Sequence, residues 1–164
     1  MMLRIFIFSL MFLPISAHAE WRLLSEESAF SEGGRHVAYV ETPDYEYSLS
    51  VLCDVSRLFL AHRTYDKAIP DQIRTLNTGN PQLLLRVDGG DVKRLSGVLA
   101  DFDGNTAIFS NISKEEFGQI SNTESQIAVA LAFGSEIYHE ATYIALPPKT
   151  VLQDLKQRCA YFKN

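Results

Sequence analysis

Long hydrophobic runs, an excess of basic residues and recognisable catalytic motifs are all missing from this chain of 164 residues. Its apolar run at residues 5–13 is about half the length that a helix needs to cross a bilayer, which argues against a membrane span. Lys and Arg total 15 against 20 Asp and Glu, giving a formal net charge of −5. Nucleic-acid binding requires a basic face that neutralises phosphates, so nucleic acid is excluded as the expected partner.

The chain also lacks the residue spacings that common enzyme and metal sites require. It has no Gly-x-Ser-x-Gly nucleophile elbow and no Cys-x-x-Cys. His36, His62 and His139 are far apart and have no partner one helical turn away, so a zinc site is not expected. Residues 101–105 begin like a calcium loop, but the glycine at its sixth position and the glutamate at its twelfth are absent. We therefore expect no metal, no cofactor and no catalysis.

The first 19 residues have the composition of a secretory signal peptide. Arg4 supplies a basic start, residues 5–13 form the apolar segment, and Ala17-His18-Ala19 matches the small-x-small pattern at which such leaders are cleaved. Cleavage before Glu20 leaves residues 20–164, a length that suits a single compact domain. The short leader is typical of export to a Gram-negative periplasm.

The two cysteines, Cys53 and Cys159, both lie in the part of the chain that follows the leader. An even count of cysteines in an oxidising compartment predicts a disulfide bond between them. The chain-entropy model gives so long a loop roughly 4–5 kcal/mol of stabilisation. Two separate buried thiols are the alternative, and redox catalysis is less favoured because no Cys-x-x-Cys is present.

Alternating apolar and polar residues, separated by frequent turn signals, predict a mainly β fold. We expect an antiparallel β-sandwich of about seven to nine strands. Candidate strands lie at residues 21–23, 36–41, 45–53, 57–64, 83–87, 92–95, 97–102, 106–110, 126–133 and 140–146, with turns at 31–34, 43–44, 88–91 and 103–105. Within residues 45–53 the apolar side chains, ending at Cys53, occupy one face and mostly polar side chains the other.

Two helices are predicted beside the strands. Ser113 and Glu116 have the spacing of a capping box, which predicts a short helix over residues 114–121. Apolar residues at helical spacing predict a second helix over residues 149–161, with Leu155 and Cys159 four positions apart on its buried face. The predicted disulfide would therefore join the C-terminal helix to the sheet.

A binding surface is predicted around residues 65–81, the longest stretch without periodicity. Long ordered loops in compact domains are often functional, although disorder is an alternative for a segment with two prolines and a glycine. Tyr65 would be a rigid aromatic anchor, Arg74 would contact a partner carboxylate, and Asn77 would complete the surface. Four tyrosines lie in or near this third of the chain: Tyr39, Tyr45, Tyr47 and Tyr65. Tyr45 and Tyr47 could instead simply line the sheet.

The chain resembles a group of small periplasmic proteins in its outline. The residues that carry the resemblance are a tryptophan near the mature start, Leu49-Ser50-Val51-Leu52-Cys53, Leu85-Arg86-Val87-Asp88 and the closing segment 152–159. This outline is similar to proteins of the invasion-associated locus B kind and to the accessory protein TagO of type VI secretion clusters. The resemblance implies a β-sandwich with a disulfide to a C-terminal helix and a non-catalytic role. It carries over no functional residue.

Together these features predict an exported, non-catalytic periplasmic binding or accessory protein. Its partner would be another envelope or secreted protein, such as a secretion-system component. An immunity or inhibitor protein acting against a toxin or lytic enzyme is one alternative. A small secreted enzyme acting on envelope material is another, which a concave pocket with convergent ionisable groups would favour.

Overall fold

Nine strands and three α-helices make up the described part of the protein. The structure is a computed structural model that describes residues 20–26, 34–54, 56–144 and 148–163. The strands are β1 (Arg22–Glu26), β2 (Arg35–Glu41), β3 (Ser48–Cys53), β4 (Leu58–Lys67), β5 (Gln82–Val87), β6 (Lys93–Phe102), β7 (Asn105–Asn111), β8 (Gln126–Phe133) and β9 (Glu136–Ile144). The helices are α1 (Pro70–Asn77), α2 (Lys114–Ser121) and α3 (Lys149–Arg158), and a 3₁₀ turn follows at Ala160–Phe162. The predicted leader and residues 31–33 of the predicted turn lie outside the described residues.

The described strands form one antiparallel sheet, which confirms the mainly β prediction. Their order is β1-β2-β3-β4-β7-β6-β5-β8-β9. After β4, the chain passes through α1 to β5 and returns through β6 to β7, which pairs with β4. It then crosses through α2 to β8 and β9. Of the helices in the described ranges, none combines the length and hydropathy that crossing a bilayer requires.

The sheet curls until its last strand meets its first half. A hydrogen bond of 2.8 Å joins Nε2 of His62 on β4 to the backbone carbonyl of His139 on β9, although five positions separate these strands in the sheet order. Side chains from both halves therefore point into one hydrophobic core, which includes the fully buried Leu60, Leu83 and Ile127. Burial of this apolar surface is the main source of stability.

The predicted disulfide between Cys53 and Cys159 is present. Cys53 ends β3 on the inner face, and Cys159 follows the last turn of α3 with its Cα 5.9 Å from that of Cys53. Leu152 and Leu155 of α3 are fully buried in the same core. Because α3 packs on β1 and β2, the disulfide closes the core at this end of the sheet.

Local signals place several elements at their predicted positions. The α2 helix spans the predicted residues, and both hydrogen bonds of the capping box between Ser113 and Glu116 are formed. The two hairpins are also confirmed, with β5 pairing with β6 and β6 with β7. Their turns place Asp88, Gly89 and Gly104 at positive φ, a backbone region that glycine enters without steric cost. The strand over residues 126–133 is β8.

Several predicted segments differ from the structure. The strands predicted at residues 92–95 and 97–102 are one continuous strand, β6, and the helix predicted over residues 149–161 ends at Arg158. Residues 65–81 are not a long loop: β4 continues to Lys67, and α1 fills most of the remainder. Proline at the first position of α1 favours a helix start, and Ile69, Ile73 and Leu76 recur at helical spacing, although α1 buries no residue fully. Strand β3 begins at Ser48 because Tyr45 has a φ of 61° within the preceding turn. Strand β9 begins at Glu136, earlier than predicted, because a tight turn through Gly134 joins it to β8.

Candidate functional site

The residues predicted to bind a partner occupy separate places. Tyr65 lies near the end of β4 and is 52% exposed. Arg74 projects from α1 into solvent, where its Nη2 lies 3.4 Å from Oδ1 of Asp71. Among the described residues, no hydrogen bond, ion pair or ring contact joins Tyr65 to Arg74 or Asn77.

Asn77 attaches α1 to the sheet. Its amide nitrogen donates to the carbonyl oxygen of Leu99 at 2.9 Å, and the backbone N–H of Leu99 donates to its Oδ1 at 2.7 Å. The side chain thus pairs with β6 as a neighbouring strand would. Both polar atoms of Asn77 are used within the fold, which gives the residue a structural role beside the binding role predicted for it.

A groove lies along the outer face of β3, on the side of the sheet away from the core. We call it the β3 groove, and its volume is about 320 Å³. Its lining residues are Leu24, Arg35, Val37, Tyr39, Glu41, Ser48, Ser50, Leu52, Arg63, Phe102 and Asp103. They come from β1, β2, β3, β4, the end of β6 and the turn between β6 and β7.

The groove exists because small side chains lie between large ones across the sheet. Tyr39 on β2 pairs with Ser50 on β3, and Ser50 pairs in turn with Ala61 on β4 and then Phe109 on β7. Side chains of residues paired in this way project from the same face. Ser50 therefore forms a low floor beside the ring of Tyr39, and Phe102, which contacts Phe109 edge-on, lines the groove from the end of β6.

An ion pair crosses the floor at the next row of outward-facing residues, two positions along β2 from Tyr39. Glu41, Ser48 and Arg63 are aligned on three neighbouring strands. The Nη2 of Arg63 lies 3.2 Å from Oε1 of Glu41, so the two side chains meet above Ser48. This explains why Ser48 and Ser50 are only 4% and 2% exposed although they lie on the outer face.

The floor holds hydrogen-bonding groups that have no partner among the described residues. Nε of Arg63 is buried, and among the described residues it has no hydrogen-bond partner. The hydroxyl groups of Ser48 and Ser50 likewise form no hydrogen bond to another described side chain or backbone group. A ligand that brings acceptor atoms would satisfy these groups, since an unpaired buried donor costs about 1–3 kcal/mol.

The two ends of the groove carry opposite charges. Arg35 lies at one end, beside the apolar side chains of Val37 and Leu52. Asp103 lies at the other end, in the turn that follows Phe102. Neither Arg35 nor Asp103 forms an ion pair with any described residue. The groove therefore has a positive end and a negative end, with an apolar section beside the positive one.

A second feature, the histidine–tyrosine cluster, lies where β9 meets β3 and β4. It comprises Tyr47, His62, Tyr65, His139 and Tyr143. The carbonyl of His139 accepts the hydrogen bond at Nε2 of His62, which leaves Nδ1 to accept from the Tyr143 hydroxyl at 3.4 Å. Burial, which disfavours the charged imidazolium, lowers the pKa of His62 to about 4.

The outer part of this cluster is reached by solvent. The ring of Tyr47 stacks on His62 with centroids 5.5 Å apart, and Tyr65 contacts Tyr47 edge-on at the same distance. His139 contacts Tyr65 at 5.6 Å, and its Nε2 lies 3.1 Å from Oδ2 of Asp66. Burial raises the pKa of Tyr47, and its tyrosine neighbour adds to the effect.

Backbone irregularities accompany the cluster. The pairing of β4 with β7 shifts register after Arg63, and that of β8 with β9 shifts around Ala130. His139 itself has a φ of 51°, a left-handed conformation that is uncommon for residues other than glycine. Such bulges and strained residues are concentrated at functional sites, although they also serve to bend strands.

The cluster offers an oriented imidazole without an attacking group beside it. Among the described residues, no Ser, Thr or Cys side chain is hydrogen-bonded to His62 or His139. A hydroxyl–imidazole contact of 3.0 Å occurs elsewhere, between Ser25 and His36. These two residues are directly opposed on β1 and β2, and neither lines the β3 groove. In the described ranges, no group of three or more His, Cys, Asp or Glu side chains is arranged to hold a metal ion.

Sequence reasoning did not find either feature. His62 and His139 lie 77 positions apart in the chain and meet because the sheet curls. No local sequence pattern predicts that contact. The groove had one visible signal, the polar alternate face of β3 with its two serines. Comparison with protein-family models, with curated proteins and with solved structures finds no match.

Proposed function

We propose that this protein is an exported, non-catalytic binding protein of a Gram-negative periplasm, and that it holds another envelope or secreted protein in the β3 groove. The export signal in residues 1–19 supports the location. The disulfide between Cys53 and Cys159 supports it too, since such bonds persist in oxidising compartments. The similarity in outline to periplasmic secretion accessory proteins favours a secretion-system component as the partner.

The lining of the β3 groove is the observation that carries this proposal. Tyrosine and arginine are enriched among the residues that dominate protein–protein binding, and Tyr39, Arg35 and Arg63 all line the groove. The groove is open along one face of the sheet and has aromatic, aliphatic and charged sections. An enzyme of the same compartment would need a nucleophile or a general acid–base pair facing a substrate. The described residues that line the groove include no histidine or cysteine, and Glu41 is held by its ion pair with Arg63.

Site-specific photo-crosslinking tests the proposal in cells that naturally make the protein. A photoreactive phenylalanine analogue is placed at Tyr39 in the groove, and in a matched variant at the exposed Tyr45. We expect a discrete crosslinked product with an envelope or secreted protein from position 39, identified by mass spectrometry, and none from position 45. Equal products from both positions, or no product from position 39, would contradict the proposal.

The surface around Tyr65 and Arg74 remains a separate prediction. Recovery of the crosslinked partner by two double variants distinguishes this surface from the β3 groove. One double variant carries Tyr39→Ala and Arg35→Ala, and its matched counterpart carries Tyr65→Ala and Arg74→Ala. Each removes one tyrosine and one arginine. We expect recovery of the crosslinked partner to fall in the first variant and to persist in the second. The reverse result would assign binding to the Tyr65 surface.

A further inference from the structure

The charges and dimensions of the β3 groove specify the kind of segment that fits it. We infer that the groove takes an extended polypeptide segment of about six residues, which places an acidic group beside Arg35 and a basic group beside Asp103. This inference rests on the proposed function and adds to it the chemistry of the partner.

Length follows from the strands that line the groove. Arg35 and Glu41 are the two ends of β2, six residues apart, so the face between them is about 20 Å long. Asp103 lies beyond the Glu41 end, because Asn105 pairs with Lys67 further along β4 than Arg63. An extended segment of about six residues spans the face from Arg35 to Glu41, and the side chain of its last residue reaches on towards Asp103.

Charge complementarity determines the direction of the segment. The charges of Arg63 and Glu41 cancel each other in the middle of the groove. Among the lining residues this leaves Arg35 and Asp103 as the charges that a partner would match. Both side chains are exposed, and neither has an ionic partner among the described residues. Opposite charges placed on a partner at these ends would fix its register and orientation.

The floor of the groove matches a polypeptide backbone. An extended segment presents a carbonyl acceptor at every residue, and the free donors on the floor are Nε of Arg63 and the hydroxyls of Ser48 and Ser50. Beside Arg35, Val37 and Leu52 offer an apolar contact for one side chain of the segment.

Selection from random hexapeptides displayed on filamentous phage tests this inference without knowledge of the partner. The baits are the wild-type protein, Arg35→Glu, and Arg74→Glu as a matched reversal of an exposed arginine outside the groove. We expect wild type and Arg74→Glu to enrich sequences with an acidic residue at one end and a basic residue at the other. Arg35→Glu should change the preference at the acidic end to a basic residue. A selected acidic peptide should bind Arg35→Glu roughly tenfold more weakly than wild type, because attraction is replaced by repulsion.

Amide chemical shifts measured with a selected peptide locate the binding. Changes at Val37, Ser50 and Leu52 support the inference, and changes confined to α1 or Tyr65 overturn it. It is also overturned if no sequence is enriched, if enriched sequences lack the acidic end, or if Arg35→Glu selects the same sequences. Crosslinking from position 39 without acidic preference would reject this inference alone. Acidic peptides bound in the groove without any crosslinked partner in cells would reject the proposed function alone.

Discussion

Acidification should destabilise the protein through His62, and the structure gives the size of the effect. The imidazole is fully buried, donates from Nε2 to the carbonyl of His139, and stacks on Tyr47. Nδ1 has the Tyr143 hydroxyl beside it, which suits a neutral ring. Burial lowers the pKa of His62 from 6.5 to about 4, so the folded protein resists protonation at a pH where the unfolded chain accepts a proton.

The direction of the effect follows from proton binding in the two states. Above pH 6.5 neither state carries a proton on His62, and this group has no influence on the free energy of unfolding. Between 6.5 and about 4 only the unfolded chain is protonated, so stability falls by about 1.4 kcal/mol for each pH unit. Below about 4 both states are protonated and the loss levels off at about 3 kcal/mol.

Urea unfolding at a series of pH values measures this loss. The single tryptophan, Trp21, is buried in the core, so its fluorescence reports unfolding. The matched control is His62→Gln, whose amide can still donate to the carbonyl of His139 but does not titrate. Every ionisable group other than His62 is present in both proteins, so the difference between the two curves reports on His62.

Two results would refute the reasoning about His62. If the wild-type and His62→Gln curves stay parallel from neutral pH to about pH 4, the buried imidazole is not the cause of acid sensitivity. If the difference changes in the opposite direction, the folded state must hold His62 charged. The burial of His62 is supported if the difference in the free energy of unfolding changes steadily below pH 6.5 and levels off near pH 4.

Three further changes have expected costs in the free energy of unfolding, each measured by urea midpoint. Asp88→Ala removes the carboxylate that accepts backbone hydrogen bonds from residues 124–126, and we expect a loss of about 1–3 kcal/mol at neutral pH. These hydrogen bonds lower the pKa of Asp88 to about 2, so its contribution should disappear as the pH falls towards that value. Asn77→Ala should cost about 1–3 kcal/mol by leaving Leu99 unpaired, and unchanged stability would argue against its anchoring role. Replacing Cys53 and Cys159 together by serine should cost about 2–5 kcal/mol relative to the oxidised protein.

Much of the fold could be predicted from local capping and turn signals in the sequence. The capping box of Ser113 and Glu116 located α2, and glycine-containing turns located both hairpins. These signals act within a few residues, so they do not depend on tertiary contacts. The disulfide was predictable for a different reason, because two cysteines in an exported chain have one possible intramolecular pairing.

The candidate site was much less predictable because it depends on the order of strands. β4 and β5 are consecutive strands in the chain, yet β7 and β6 lie between them in the sheet. That arrangement brings Phe102 and Asp103 to the end of the β3 groove, and the curl of the sheet brings His139 to His62. Neither contact has a local pattern. Helix α1 had local signals, a proline at its start and Ile73 and Leu76 at helical spacing, but the prolines and glycine of this stretch favoured a loop.

Strand β4 connects the two features of the candidate site through the alternation of its side chains. His62 points into the core and holds β9, whereas the next residue, Arg63, points outward and crosses the groove to Glu41. Successive residues of a strand face opposite sides, so a change at either position alters the backbone that positions the other. A loss of binding on substitution of Arg63 would therefore combine effects on the groove and on the closure of the sheet. Arg35 and Tyr39 lie on β2, two strands from Arg63 on β4. Substitutions at these two positions therefore test binding in the groove without altering the strand that closes the sheet.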